Sequence, residues 1–193
     1  MLFIQEYKKL LKEYSSDSNE MDRIVNTLST KYRSRRIILT NNEFSPKTYF
    51  TQHYPNRPES SLIRPKPRGT WYARGEDWAN WMRSESPDWF ESYNHAYWLD
   101  LNYSKILRIN TKEKFLDFEK TYLEQDNSYY SRPMINWARV TKDYHGIEII
   151  PYFWQFRNKD WYYPWDIASG CIWNSDAIKQ YVEIPLSENS PEI

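Results

Sequence analysis

Cysteine, glycine and histidine are all scarce in this sequence. Its 193 residues include one cysteine, four glycines and three histidines. A single cysteine excludes an internal disulfide and a zinc site built from cysteines, and it is typical of a reducing compartment. His53, His95 and His145 are spaced so that no two share a helix face, so we predict no metal site.

Long apolar runs and net charge are missing as well. No stretch is long enough to span a bilayer, and the short apolar run at the N-terminus contains charges, unlike a signal peptide. The 26 basic and 26 acidic residues cancel, so the overall charge gives no reason to expect nucleic acid or a membrane as a partner. These absences predict a soluble, cytoplasmic protein with no membrane partner.

Common catalytic and nucleotide-binding motifs are also absent. The sequence has no GxGxxG, P-loop, HExxH or GxSxG pattern, which excludes the usual dinucleotide, phosphate, zinc-protease and hydrolase signatures. Ser169 or Cys171 could in principle act as a nucleophile with His145, because such partners need only meet in space. No nucleophile-elbow pattern supports that interpretation.

Aromatic residues are abundant. They make up 18% of the chain and include ten tryptophans, a composition unlike that of disordered or low-complexity chains. The densest stretch, Trp161 to Trp173, reads WYYPWDIASGCIW and surrounds one carboxylate, Asp166. Burying a carboxylate among aromatic rings is costly unless a partner stabilises it. Asp166 is therefore either a functional acid or a residue that caps or pairs locally.

Hydrophobic periodicity predicts an α+β fold. Two amphipathic helices are predicted before residue 33, and short strands then alternate with helices and polar loops without the regular βαβ order of a doubly wound fold. We predict an N-terminal helical extension (1–36), one α+β domain (37–186) and a tail (187–193). Strands are predicted at 36–40, 48–52, 67–74, 96–103, 105–110, 146–152 and 166–173, helices at 76–83, after Thr111 and at 134–144, and a helical turn or strand at 177–185.

Two segments carry a resemblance to known proteins. Lys66 to Ala73 reads KPRGTWYA and precedes Trp78 and Trp81, while Trp165 to Trp173 reads WDIASGCIW. The pair resembles a KPxGLWxS strand, a tryptophan-bearing helix and a distal WDxASGCIW element of uncharacterised phage and bacterial proteins. Over residues 48–185 the arrangement is similar to the ADP-ribosyltransferase superfamily. The short strand of that superfamily reads glycine, aliphatic, aromatic, aromatic, small, a slot filled here by Gly69 to Ala73.

The resemblance implies a fold and an activity. The fold would be a split mixed or antiparallel β-sheet core with flanking helices and an N-terminal helical pair. The activity would be NAD-dependent mono-ADP-ribosyl transfer, with NAD as a substrate and a macromolecule, protein or nucleic acid, as the acceptor. A toxin-like role in conflict between phage and host would fit such an activity.

The resemblance also implies site residues, because three strands of that superfamily each contribute one. The first residue holds the NAD ribose and the second packs against the nicotinamide. The third is an acid that stabilises positive charge on the ribose. The matching positions are Thr51 or His53, then Trp71 with Tyr72 beside it, then Asp166 or Ser169, with Glu148 as a fallback acid on a strand where acids usually face solvent.

Residues around the short strand complete the predicted NAD site. Arg68, or else Arg64 or Arg74, would pair with the pyrophosphate. Gly69 would let the backbone approach the ligand closely. The aromatic wall would exclude water from the reacting bond.

A non-catalytic binding module is the alternative function. Residues 1–70 hold 13 basic against 7 acidic residues, and Arg64 to Arg74 combines basic with aromatic side chains. Surfaces of this kind stack the exposed bases of single strands. The alternative predicts salt-dependent binding of single-stranded nucleic acid or of a nucleotide.

Overall fold

A computed structural model describes residues 21–47, 63–125 and 132–186 of the chain. The helices are residues 21–31 (α1), Asp77–Glu85 (α2), Pro87–Glu91 (α3), Lys112–Tyr122 (α4) and Trp137–Asp143 (α5). The strands are Arg36–Thr40 (β1), Ile63–Arg64 (β2), Thr70–Arg74 (β3), His95–Leu101 (β4), Ile106–Ile109 (β5), Leu123–Gln125 (β6), Pro133–Asn136 (β7), Gly146–Ile149 (β8), Ser169–Ile172 (β9) and Ile178–Ile184 (β10). The predicted first helix and the predicted strand at 48–52 lie outside the described residues.

Seven strands form the main sheet, in the order β10-β4-β1-β3-β9-β8-β5. Within it β5 and β8 run parallel and the other neighbours run antiparallel. A smaller antiparallel sheet has the order β2-β7-β6. The prediction of an α+β fold with a mixed sheet is confirmed. None of the described helices is long and apolar enough to cross a membrane.

The main sheet opens between β1 and β3. Register pairs join Arg36 with Arg74 and Ile37 with Ala73, and the pairing of these strands ends there. Strand β1 continues to Thr40 in register with β4, while β3 begins at Thr70 in register with β9. The two strands therefore part at one end of the sheet, and their facing backbone groups lie outside the ladder.

Side chains alternate between the two faces of this sheet. On one face, which we call the helical face, Ile37 packs with Leu28 of α1 and Met82 of α2. Farther along the same face, Ile147 and Cys171 pack with α4, α5 and the aromatic segment. Because α1 lies in the same core as α2, its apolar stripe is used inside the fold. The second face carries another apolar cluster, formed by Ile38, Phe44, Tyr72, Tyr97, Leu99, Leu101, Ile106, Ile172 and Ala177.

One predicted element is wrong in part. The helix predicted at 134–144 begins at Trp137, where the Asn136 side chain accepts a hydrogen bond from the Arg139 backbone N–H. The preceding residues form β7, in which Met134 and Ile135 pair with β6 directly after α4. Strand β7 also pairs with β2, at Ile63 with Asn136 and Arg64 with Ile135. Because β2 lies far away in sequence, local periodicity gives no sign of this pairing. The segment at 177–185, predicted as a helical turn or a strand, is mainly the strand β10.

Candidate functional site

A cavity of about 620 Å³ lies where β1 and β3 part. Its walls come from Ile38 to Thr40 on one strand and from Gly69 to Trp71 at the start of the other. Beyond the strands it is lined by Trp78, Trp89, Tyr93, Asn41, Asn42, Glu43, Ser45 and Lys66. The volume is that of a typical small-molecule site. The lining combines four aromatic side chains with about as much polar as apolar surface.

Lys66 links the two motif segments beside this cavity. Its ammonium group lies 5.0 Å from the centre of the Trp71 ring and 3.4 Å from a carboxylate oxygen of Asp166. The Trp71 ring in turn contacts Trp165 edge-on, with 4.9 Å between ring centres. Trp71 and Asp166, predicted from separate stretches of sequence, therefore contact the same lysine. Sequence reasoning assigned no role to Lys66.

The backbone at Asp166 has an unusual conformation. Its φ angle is 51° and its ψ angle is −51°, values that residues with a Cβ rarely adopt. The Ile167 N–H donates to the Trp165 carbonyl oxygen, which closes a three-residue turn centred on Asp166. A turn of this kind is strained, and strained residues cluster at functional sites. The turn carries the carboxylate outward, where 37% of the side chain is exposed.

Two buried polar atoms near the cavity have no hydrogen-bond partner among the described residues. They are the Thr70 hydroxyl and the Trp165 indole N–H. Thr70 is 3% exposed and lines the cavity, and Trp165 contacts Trp71. Buried polar groups are nearly always paired, so an unpaired hydroxyl on a cavity wall is a position where a ligand would gain a hydrogen bond.

Tyr72 lies on the opposite face of β3 from Trp71, because successive residues of a strand point to opposite faces. Its ring covers Gly170, where an added Cβ would lie 2.2 Å from the ring. Its hydroxyl is 3.4 Å from Glu148. The predicted pair of neighbouring aromatic residues on one cleft wall is therefore separated by the sheet: Trp71 lines the cavity, and Tyr72 packs in the second-face cluster.

Glu148 is the buried member of a charge cluster on that second face, in which Arg36 is partly exposed and Arg108 is exposed. Arg36 donates two hydrogen bonds to its carboxylate, at 2.8 and 3.0 Å, and Arg108 is 3.4 Å away. Glu148 is 2% exposed, so the expectation that it faces solvent is wrong. Hydrogen bonding to Glu148 raises the pKa of Arg36 above its ordinary value, although burial opposes the shift. Burial, with the Glu148 charge adding to it, raises the pKa of Tyr72.

Two predicted site residues, Ser169 and Gly69, make their close contacts within the protein. Ser169 is buried on the helical face, and its hydroxyl donates to the Ile167 carbonyl oxygen at 3.1 Å. A Cβ added at Gly69 would lie 2.4 Å from both the Cys171 sulfur and the Ile172 carbonyl oxygen. The close approach that glycine permits here is to strand β9. Gly69 nevertheless also lines the cavity.

None of the other predicted residues that the structure describes lines the cavity. Thr51, His53 and the side chain of Arg64 lie outside the described residues, while Arg68 is half-buried and Arg74 exposed. His95 pairs with Glu183, 2.7 Å away, and Cys171 is buried. Across residues 21–47, 63–125 and 132–186, no group of three or more metal-ligating side chains is close enough to hold an ion.

No family model, curated protein or solved structure matches the chain. The basis for assigning a function is therefore the geometry of the described residues together with the two motif segments.

Proposed function

We propose that this protein transfers ADP-ribose from NAD to a macromolecular acceptor. The observation that carries the proposal is the contact of Lys66 with both Trp71 and Asp166 beside the cavity between β1 and β3. Trp71 and Asp166 come from the two segments that resemble the ADP-ribosyltransferase superfamily. A sheet that opens at the same place supports the split-sheet architecture which that resemblance implies.

The cavity offers complementary groups for NAD. Lys66 supplies a positive charge for the pyrophosphate, and Trp71 supplies a flat apolar surface for the nicotinamide ring. The unpaired Thr70 hydroxyl and the parted strands offer hydrogen bonds to an amide or a ribose. Trp78, Trp89 and Tyr93 provide further aromatic surface at a distance from β3 for the adenine.

Asp166, linked to the cavity through Lys66, is the acid that we assign to the chemical step. In that step the bond between nicotinamide and the ribose C1′ breaks, and nicotinamide leaves with the electron pair. A nucleophile of the acceptor then bonds to C1′ and loses its proton. Positive charge develops on the ribose meanwhile, and a carboxylate beside it lowers the barrier. When the pyrophosphate attracts Lys66, the Asp166 carboxylate is released from its 3.4 Å ion pair for this role.

Glu148 is a poor alternative to Asp166. Both of its carboxylate oxygens accept hydrogen bonds from Arg36, and the residue is almost completely buried. To act on a ribose it would have to give up these bonds in the protein interior, where an unpaired charge is very costly.

The test uses NAD labelled in its adenosine half, incubated with the full chain and a cell lysate. We expect nicotinamide release and transfer of the label to a macromolecule. Trp71→Ala should weaken NAD binding roughly tenfold, because an aromatic contact and its buried area are lost. Tyr72→Phe, on the opposite face of the same strand, is the matched control and should bind NAD as the unchanged chain does.

Two results would contradict the proposal. Absence of both NAD binding and NAD consumption would refute the enzyme and the nucleotide site together. Binding of NAD without nicotinamide release, weakened by Trp71→Ala, would instead identify a non-catalytic nucleotide-binding module.

A further inference from the structure

The connection between β8 and β9 displays an exposed aromatic patch, which we define as Tyr152, Trp154 and Arg157. Trp154 is 65% exposed. Its ring meets that of Tyr152 edge-on at 5.2 Å, and the Arg157 guanidinium lies 5.5 Å from its centre. Single exposed rings are common on protein surfaces, but here a second aromatic side chain and a cation adjoin the exposed ring, and such a group of side chains can bind a flat ligand.

The patch stands on a rigid base. Tyr152 stacks on Tyr162, with 5.1 Å between ring centres. Tyr162 is fully buried, and its hydroxyl accepts a hydrogen bond from the Phe153 backbone N–H at 3.1 Å. Tyr152 is half-buried and fixed by the buried ring, so this side of the patch loses little conformational freedom when a flat ligand binds.

Within residues 152–166, Arg157 is the cation whose charge can pair with a ligand. The other charged residues of residues 152–166 have ion-pair partners: Lys159 with Glu119 at 2.8 Å, Asp160 with Arg132 at 2.9 Å, and Asp166 with Lys66. Arg157 contacts the Trp154 ring and has no carboxylate partner in the described part of the chain. A stacking surface beside a free guanidinium is the combination that binds a base and its phosphate.

The patch also lies close to the proposed acid. A chain of ring contacts leads from Tyr152 through Tyr162 to Trp165, the residue before Asp166. Burial raises the pKa of Tyr152, and the negative charge of Asp166 adds to the shift, which places the phenol within electrostatic reach of that carboxylate. The patch is therefore joined to the residue before the proposed acid by successive ring contacts, on the same segment of the chain.

We propose that the aromatic patch binds single-stranded nucleic acid, with an unpaired base stacked on Trp154 and a backbone phosphate at Arg157. The inference rests on the proposed function only in naming this nucleic acid as the acceptor of ADP-ribose. It deepens that function by assigning the acceptor class to a surface separate from the NAD cavity.

The test measures binding of a short fluorescein-labelled single strand, as DNA and as RNA of the same sequence, by anisotropy without NAD. We expect affinity to fall as salt rises. Trp154→Ala should weaken binding roughly tenfold, since base stacking on one ring is lost. Arg157→Gln should reduce the slope of log affinity against log salt by about one. The DNA and RNA arms show which of the two the surface prefers.

The matched control is Tyr163→Ala, in the same segment. Tyr163 is 71% exposed and makes no ring contact with the patch. It should change the affinity by less than about twofold. Equal losses for Tyr163→Ala and Trp154→Ala, or no binding of either strand, would overturn the inference.

The inference and the proposed function fail separately. Asp166→Asn should reduce label transfer roughly a hundredfold or more and leave oligonucleotide binding unchanged. If strands do not bind while label from NAD appears on protein in the lysate, the acceptor is a protein, and the aromatic patch is not its nucleic-acid site. If strands bind and NAD is never consumed, the patch is confirmed and the transferase proposal fails.

Discussion

Two carboxylates on either side of β3 are held in opposite ways. Glu148 lies in the interior and is bound by Arg36, Arg108 and Tyr72. Asp166 lies at the surface, pairs with Lys66 and has a strained backbone. The neighbouring strand residues lie near different acids. Tyr72 contacts Glu148, and Trp71 shares the Lys66 contact with Asp166. This difference indicates that the carboxylate with more bonded partners stabilises the fold and is not available for chemistry.

The physical reason is the cost of burying charge. A carboxylate in the interior is tolerated only when cations and hydrogen bonds replace the water it has lost, and those partners cannot then be released for chemistry. An exposed carboxylate with one loose partner keeps its hydration and can exchange that partner for a substrate at small cost. Stability should therefore depend on Glu148, and activity on Asp166.

The largest expected effect is the loss of stability in Glu148→Gln. Removing this charge leaves the mostly buried Arg36 without its counterion, which should lower the free energy of unfolding by about 3 kcal/mol. Arg108 is exposed and adds little, because water can replace its partner. Urea or guanidinium denaturation measures it. Glu183→Gln is the matched control, because Glu183 is also a strand glutamate in an ion pair, with His95, but is exposed. A loss below about 1 kcal/mol in Glu148→Gln would show that the buried cluster does not hold the fold.

Gly69→Ala should have the next largest effect. The new Cβ would meet the Ile172 carbonyl oxygen at 2.4 Å, so β3 and β9 must move apart, at a cost of about 2 to 3 kcal/mol in unfolding free energy. Gly146→Ala is the graded control, since its nearest contact is the Cys171 carbonyl oxygen at 3.0 Å, and it should lose less. Weakened NAD binding at unchanged stability would show instead that Gly69 makes room for the ligand.

Raising the pH above about 10 should lower the free energy of unfolding by a smaller amount, through Tyr72 beside Glu148. Because the pKa of Tyr72 is raised in the folded chain, mainly by burial, the unfolded chain loses the tyrosine proton first as pH rises. The protonated Tyr72 makes its full contribution to the free energy of unfolding below the unfolded pKa of about 10. About 1 kcal/mol of that contribution is lost between pH 10 and pH 11. Tyr72→Phe should flatten this part of the stability profile. Some slope remains, since burial also raises the pKa of Tyr162. Equal slopes in both proteins would contradict the assignment.

Local patterns in the sequence predicted much of the fold. The strand predicted at 67–74 and the helix predicted after Thr111 form as β3 and α4, and the Thr111 hydroxyl accepts the expected hydrogen bond from the Lys114 N–H. These features depend on residues a few positions apart, where propensity and capping act. The pairing of β2 with β7 depends on segments that are far apart in the sequence and meet only after collapse, so local patterns do not predict it.

The candidate site was predictable only in part, because contacts between distant segments leave no local pattern in the sequence. The motif pair identified Trp71 and Asp166, and the structure joins them through Lys66. The burial of Glu148 depends on Arg36, which lies 112 positions away in the sequence. Alternation along β8 gave one clue, because Glu148 stands between Ile147 and Ile149 on the other face of the strand. Nothing local indicates that this face is also covered.

The smallest effect on stability is expected at Asp166. Asp166→Asn removes an exposed ion pair worth less than about 0.5 kcal/mol, and Asp166→Gly should leave the chain as stable or up to about 1 kcal/mol more stable, because glycine adopts the positive φ without strain. Both variants should nevertheless lose transfer of ADP-ribose by roughly a hundredfold or more, since no carboxylate then opposes the charge on the ribose. Denaturation and label transfer, measured on the same preparations, separate the two quantities. If Asp166→Gly unfolded easily and Asp166→Asn kept full activity, the two carboxylates would have exchanged roles: Asp166 would hold the turn, and another acid would serve the reaction.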